Sequence, residues 1–180
     1  MNTTKIVLVS DNHGDSECLK DLKEMYPDYD LFVHCGDSEM EEEYMDGYIC
    51  VRGNNDYLYT RKTPDSLTLH IQGHIVYVCH GHMDFLSYFH YEPMINRARA
   101  EGADIIFFGH VHTYLDTVQD GMRLLNPGSI RHNRDATPPS YMLVEISREN
   151  VTVTKKEYVR PHKPGLVEKI IELLIGKSSK

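Results

Sequence analysis

Short apolar runs that break off at polar clusters set the rhythm of the first half of the chain. Ile6-Val7-Leu8-Val9 is apolar without interruption, as in a strand covered on both faces, and it stops at Ser10-Asp11. After Gly14, the residues Cys18, Leu19, Leu22, Met25 and Tyr26 keep to one helix face. Lys20, Asp21, Lys23 and Glu24 lie opposite, and Pro27 ends the pattern. Further strands are expected over 31–35, ending at Gly36-Asp37, and over 48–51, ending at Gly53. Runs 67–71 and 75–79 flank Gln72-Gly73 as a hairpin. A helix over 92–100 has Pro93 in its first turn and Gly102 past its end, and a buried strand over 103–108 runs into Gly109. Strands then alternate with turns over 114–118, 122–125, 141–146 and 151–158. The first half reads as βαβ units and the second as antiparallel, which makes the chain an α/β protein.

No internal repeat or low-complexity linker divides this pattern, so residues 1–160 are expected to form a single domain. Beyond Pro161 and Pro164, Leu166, Ile170, Leu173 and Leu174 form a stripe that Val167, Ile171 and Ile175 widen. Residues 161–180 are therefore expected to hold an amphipathic helix. Packing on its own domain is the default for such a stripe, and association with a partner or a second copy is the alternative.

Composition narrows the partners. The 180 residues are 41% hydrophobic and 26% charged, ordinary for one folded domain, and the formal net charge is −8. That balance disfavours long nucleic acids and anionic membrane surfaces. No apolar run approaches the ~20 residues that span a bilayer. The sequence from Met1 to Ile6 enters a strand without a signal-peptide apolar region. Cys18, Cys35, Cys50 and Cys79 are scattered, with no CxxC pair, as expected for reduced thiols in a cytoplasmic protein. The 11 histidines call for a chemical explanation.

Several of them stand where strands end. The clusters are Ser10-Asp11-Asn12-His13, Gly36-Asp37, Gly53-Asn54-Asn55-Asp56, His80-Gly81-His82 and Gly109-His110-Val111-His112. Ligands of open α/β sheets gather beyond the carboxyl ends of strands, so these five clusters should converge. If the chain stays extended there, Asp11 with His13, and His110 with His112, should each point to one side. The candidate ligands Asp11, His13, Asp37, Asn54, His80, His110 and His112 offer only N and O donors, which suits Mn²⁺, Zn²⁺, Fe or Ni²⁺. Seven ligands exceed one tetrahedral ion, and two ions sharing a carboxylate account for them economically.

In order, D-x-H at Asp11 and His13, G-D at Gly36-Asp37, G-N-x-D at Gly53, Asn54 and Asp56, H-G at His80-Gly81 and G-H-x-H at Gly109, His110 and His112 resemble the calcineurin-like metallophosphoesterases. The short length resembles their small bacterial and archaeal phosphodiesterase branch, as does the turn Asn126-Pro127-Gly128-Ser129. The resemblance implies a four-layer αββα sandwich. It implies two divalent ions, Mn²⁺ first among the candidates, with Asp11, His13, Asp37 and His112 around one. Asp37, Asn54, His80 and His110 would surround the other, with Asp37 as the bridge. It further implies in-line attack on a small phosphodiester by a metal-bridging hydroxide. Two such ions within an acidic shell suit a small phosphodiester and repel long polyanions.

One position departs from that family. Many members carry His directly after the motif Asn, to protonate the leaving group, and this chain has Asn55. An amide is no general acid near neutral pH, so activated leaving groups and modest turnover are expected. His82 is the substitute proton donor, counted with Asn54 among the catalytic candidates, although a structural role for it weighs equally. Asp56, which would orient the missing His, is left a structural part. Arg131 and the stretch Glu39 to Glu43 read as solvated surface, and His34, His70, His74, His90, His132 and His162 as ordinary surface or strand residues. The alternative to an enzyme is a metal-binding interaction scaffold on the same fold, resembling a retromer subunit with a degenerate site.

Overall fold

A computed structural model describes residues 2–56, 62–84, 86 and 90–162, so the expected tail helix lies outside the described residues. The first strand, β1 (Thr4–Val9), shows why an unbroken apolar run was needed. Ile6 and Leu8 join the core between two sheets, while Val7 and Val9 pack under helix α1 (Ser16–Met25) with Cys18, Leu19 and Leu22. Burying each such aliphatic side chain stabilises the fold by about 1.5–3 kcal/mol. Asp15 caps α1 by accepting a hydrogen bond from the Cys18 N–H at 3.4 Å.

The first sheet has the order β10 (Val151–Glu157), β9 (Ser140–Ile146), β1, β2 (Leu31–His34), β3 (Ile49–Cys50). The second has the order β4 (Ser66–Ile71), β5 (His74–Cys79), β6 (Ile105–Phe107), β8 (Met122–Pro127), β7 (Tyr114–Gln119). Val76, Val78, Ile105 and Phe107 face the first sheet, and Tyr77, Ile106 and Phe108 pack under α2 (Glu92–Ala100) with Met94, Ile95 and Ala98. Helix, sheet, sheet and helix therefore stack as four layers.

The expected antiparallel second half needs correcting. β6 pairs in parallel with both β5 and β8, and β9 returns to the first sheet antiparallel to β1. Because β1, β2, β5 and β6 run in parallel pairs joined by α1 and α2, their carboxyl ends reach the same edge of the sandwich. The acidic stretch forms a 3₁₀ turn at Glu42–Met45 whose Met45 is buried. Among the described residues no helix is long and apolar enough to cross a membrane.

Candidate metal centre

The strand ends are stitched together by backbone and ligand groups. The Asp11 N–H donates to the Gly36 carbonyl at 3.1 Å, and the Gly109 N–H to the His80 carbonyl at 3.1 Å. The His110 N–H donates across the sheets to Asp11 Oδ2 at 3.1 Å. Glycine is required at these crossings. A Cβ at Gly109 would lie 2.0 Å from Ser10 Oγ, and one at Gly53 would lie 2.1 Å from Asp37 Oδ1.

The ligand pairs do not stay extended, contrary to the period-two expectation. Asp11 (φ 57°), His13 (44°), Asp37 (55°), His110 (70°) and His112 (52°) all occupy the left-handed region. Asp and His tolerate it better than most residues, at a cost of about 1–3 kcal/mol each, and such strain concentrates at functional sites. These left-handed residues fall two to five positions beyond the ends of β1, β2 and β6. The His110/His112 pair splits. His112 Nε2 lies 3.0 Å from Asp11 Oδ1 and 3.1 Å from His13 Nε2, whereas the His110 ring sits 5.1 Å from that of His80.

Two compact groups result, Asp11 with His13 and His112, and Asp11 with Asp37 and His80. Asp11 is common to both groups, and Asp37, the bridge that the resemblance implies, belongs to the second. Asn54 approaches the second group, its Oδ1 3.2 Å from His80 Nε2. Six of the seven sequence candidates thus cluster by side-chain contact. His110 joins through its backbone N–H and its ring.

The imidazoles are oriented from behind. His80 Nδ1 lies 2.7 Å from the Cys35 carbonyl, His112 Nδ1 3.0 Å from the His132 carbonyl and His13 Nδ1 2.5 Å from Glu39 Oε1. An acceptor at Nδ1 places the proton there and presents the Nε2 lone pair to the centre, as metal-ligating histidines require. Asp11 Oδ1 is buried without a hydrogen-bond partner among the described residues, although His112 Nε2 lies 3.0 Å away. Converging N and O donor atoms fit a divalent cation of the borderline-to-hard kind.

The electrostatics agree. Burial raises the Asp11 and Asp37 carboxyls, but neighbouring histidines, joined at Asp37 by two Asn55 donors, outweigh it and leave both below the usual range. Burial and the charge on His80 push His110 down to about 4, and the same two causes lower His82. His82 stands beside the second group, its ring 5.4 Å from His80 and 6.4 Å from His110, and its buried Nδ1 has no hydrogen-bond partner among the described residues.

Several supporting residues escaped the sequence reading. Glu39 is no solvated acid, since it holds His13. His34 is no ordinary strand residue. Fully buried, it accepts from the Gly36 N–H through Nδ1 at 3.1 Å and meets Asn12 Oδ1 through Nε2 at 3.0 Å. Asp56 takes the structural part foreseen for it, with Oδ2 accepting from the Asp37 and Gly53 N–H groups and Oδ1 from Ser38 Oγ and the Glu39 N–H. Asn55 turns to Asp37, its N–H at 2.8 Å from Oδ1 and its Nδ2 at 2.7 Å from Oδ2. Asn126 Nδ2 donates to the Gly109 carbonyl at 2.8 Å and Ser129 Oγ to the Asp11 carbonyl at 2.8 Å, so the turn after β8 braces two ligand loops. Arg131, expected at the surface, is exposed and donates to the His13 carbonyl.

Residues 4–149 match the calcineurin-like phosphoesterase superfamily domain, and the chain belongs to that family. Among its relatives is the probable metallophosphoesterase YsnB of Bacillus subtilis, 34% identical over 154 residues that cover 82% of this chain and 88% of the relative. A crystal structure of a conserved uncharacterized protein from Streptococcus pneumoniae, described as a predicted phosphoesterase, superposes with a TM-score of 0.80. It is 29% identical and covers 92% of this chain and 96% of its own. Vps29 of Entamoeba histolytica, crystallised with Zn²⁺, shares the fold at a TM-score of 0.69 and 20% identity, over 84% of this chain and 91% of that one.

Proposed function

We propose that this metallophosphoesterase is a dinuclear phosphodiesterase acting on small phosphodiesters in the cytoplasm. The observation that carries the reading is the three histidines clamped at Nδ1, with Nε2 turned toward carboxylates, one of which keeps a buried partnerless oxygen. Asp11, His13, His112 and Asp37 would hold one ion, and Asp37, Asn54, His80 and His110 the other, with Mn²⁺ the first candidate. When bound, two such ions supply a water acidic enough to attack phosphorus at neutral pH and neutralise charge on the phosphoryl oxygens.

The chain's own residues set which substrates benefit. Asn55 spends its side-chain N–H on Asp37 and cannot protonate a departing alkoxide. His82 is the nearest alternative, and burial and the charge on His80 lower it from the ordinary histidine value. Activated leaving groups such as p-nitrophenolate are therefore preferred. Four unpaired cysteines support a reducing compartment. Asn55 is also the observation behind the second reading, a metal-binding interaction module without turnover.

Assaying bis-p-nitrophenyl phosphate with added Mn²⁺ separates the two. The enzyme reading expects metal-dependent release of p-nitrophenolate that Asp37→Asn and His80→Ala each abolish. Absence of metal-dependent release, or undiminished release by both variants, contradicts it.

A further inference from the structure

The turn after β8 carries three cationic or protonatable residues, Arg131, His132 and Arg134, all exposed. The Arg131 side chain and the backbone of His132 and Arg134 meet the first ligand group. The Arg131 guanidinium donates to the His13 carbonyl, the His132 carbonyl receives His112 Nδ1, and the Arg134 N–H donates to the His112 carbonyl at 2.9 Å. The turn itself is rigidly held. Ser129 Oγ accepts from the N–H groups of Arg131 and His132 at 3.1 and 2.9 Å, and Asn133 Oδ1 accepts from the Ser129 N–H at 2.7 Å. Asn133 Nδ2 in turn donates to the Pro138 carbonyl at 2.6 Å and to Ser140 Oγ at 3.0 Å.

The charges on this turn are uncommitted. Arg52, Arg97, Arg123 and Arg160 are paired with Asp65, Asp84, Asp116 and Asp15. Among the described residues Arg131, His132 and Arg134 take part in no salt bridge, although the chain carries a net charge of −8. Beside Glu39, the acid that holds His13, a cavity of about 380 Å³ is lined by Glu39 and Glu41 together with Gly14, Ser16, Met40 and Tyr44. An anionic substituent on a bound substrate is repelled from that acidic groove and drawn to the basic turn. Guanidinium groups meet phosphate oxygens with a matching fork of donors, and Arg131 has N–H groups left after serving His13.

We propose that Arg131, His132 and Arg134 form an anion subsite for a second phosphate on the substrate, so that the preferred substrates are small phosphodiesters bearing a terminal phosphomonoester. This rests on the phosphodiesterase reading above and adds a substrate class to it. The test compares Mn²⁺-loaded full-length protein on bis-p-nitrophenyl phosphate, on a thymidine dinucleotide and on the same dinucleotide carrying a 5′-phosphate.

The phosphorylated dinucleotide should show a KM lower by about tenfold, the scale of one hydrogen bond to a charged group. Raising NaCl from about 50 to about 500 mM should erase most of that preference, because the subsite is exposed. Arg134→Ala should reduce the preference to about threefold or less, and Arg134→Lys should restore part of it. Turnover of bis-p-nitrophenyl phosphate without any preference for the 5′-phosphate overturns the subsite and leaves the phosphodiesterase reading standing. No turnover of any of the three overturns both. A preference that survives Arg134→Ala and high salt overturns the assignment to this turn.

Discussion

The two ligand groups share one edge of the sandwich but satisfy themselves differently. In the second group His80 and Asp37 both have protein partners. His80 lies between the Cys35 carbonyl at Nδ1 and, at Nε2, Asn54 Oδ1 at 3.2 Å and Asp37 Oδ2 at 3.4 Å, and Asn55 occupies both Asp37 oxygens. His80 accordingly titrates above the ordinary histidine value, because Asp37 and Asp11 outweigh the effect of its burial. The first group is left wanting. Asp11 Oδ1 is orphaned, and the Nε2 atoms of His13 and His112 face each other at 3.1 Å. A cation relieves the first group outright, whereas at the second it must displace the Asn55 amide from Asp37. The first site should bind metal more tightly than the second.

The largest effect should come from removing the carboxylate assigned to both ions. Asp37→Asn is expected to weaken both sites and to lower turnover on the order of 10²–10³-fold, read from metal content after dialysis together with kcat. Loss at one site only would break the picture of a common carboxylate. Glu39→Gln should separate the groups, with metal affinity at the first reduced about 10–100-fold by the lost hold on His13. Calorimetric titration checks it, and an equal loss at both sites would contradict the partition.

Acid should act on the metal-free fold through His34, which burial pushes down to about 4 despite nearby carboxylates. Since its neutral form is the one the fold accommodates, its full stabilisation is present above about pH 6.5 and is lost as pH falls from there toward 4. The slope is at most about 1.4 kcal/mol per pH unit. Urea unfolding across that window measures it, and His34→Gln should flatten the slope. The smallest change is expected from Asn55→His, which offers a proton donor to alkyl leaving groups. Because the Asp56 oxygens are already committed to four donors, the gain on such esters should stay near tenfold, short of the ~10²–10⁴ a well-held general acid provides.

The candidate ligands that the fold brings together were legible in the sequence because each is a side chain of the required type placed shortly after an apolar run. The layers were legible for a related reason. Ile6-Val7-Leu8-Val9 and Ile105-Ile106-Phe107-Phe108 are apolar on both faces, which only strands covered twice require. Strand partners were not, since the parallel pairing of β6 with β8 joins segments whose local pattern is that of any strand. Nor were the supports legible. Glu39 lies beside a run of acids, and its partnership with His13 arises from a left-handed turn at φ 53°. The Cys35 and His132 carbonyls that orient His80 and His112 belong to the backbone and carry no residue signature. The extended geometry expected for Asp11-Asn12-His13 failed because Asp11 and His13, two and four residues beyond β1, both take the left-handed conformation.

The most direct test titrates metal-free protein with Mn²⁺ while following hydrolysis of bis-p-nitrophenyl phosphate. Two unequal sites predict little activity during filling of the first equivalent and a rise that completes with the second. Full activity at one equivalent, or none at any, would contradict a two-ion phosphodiesterase.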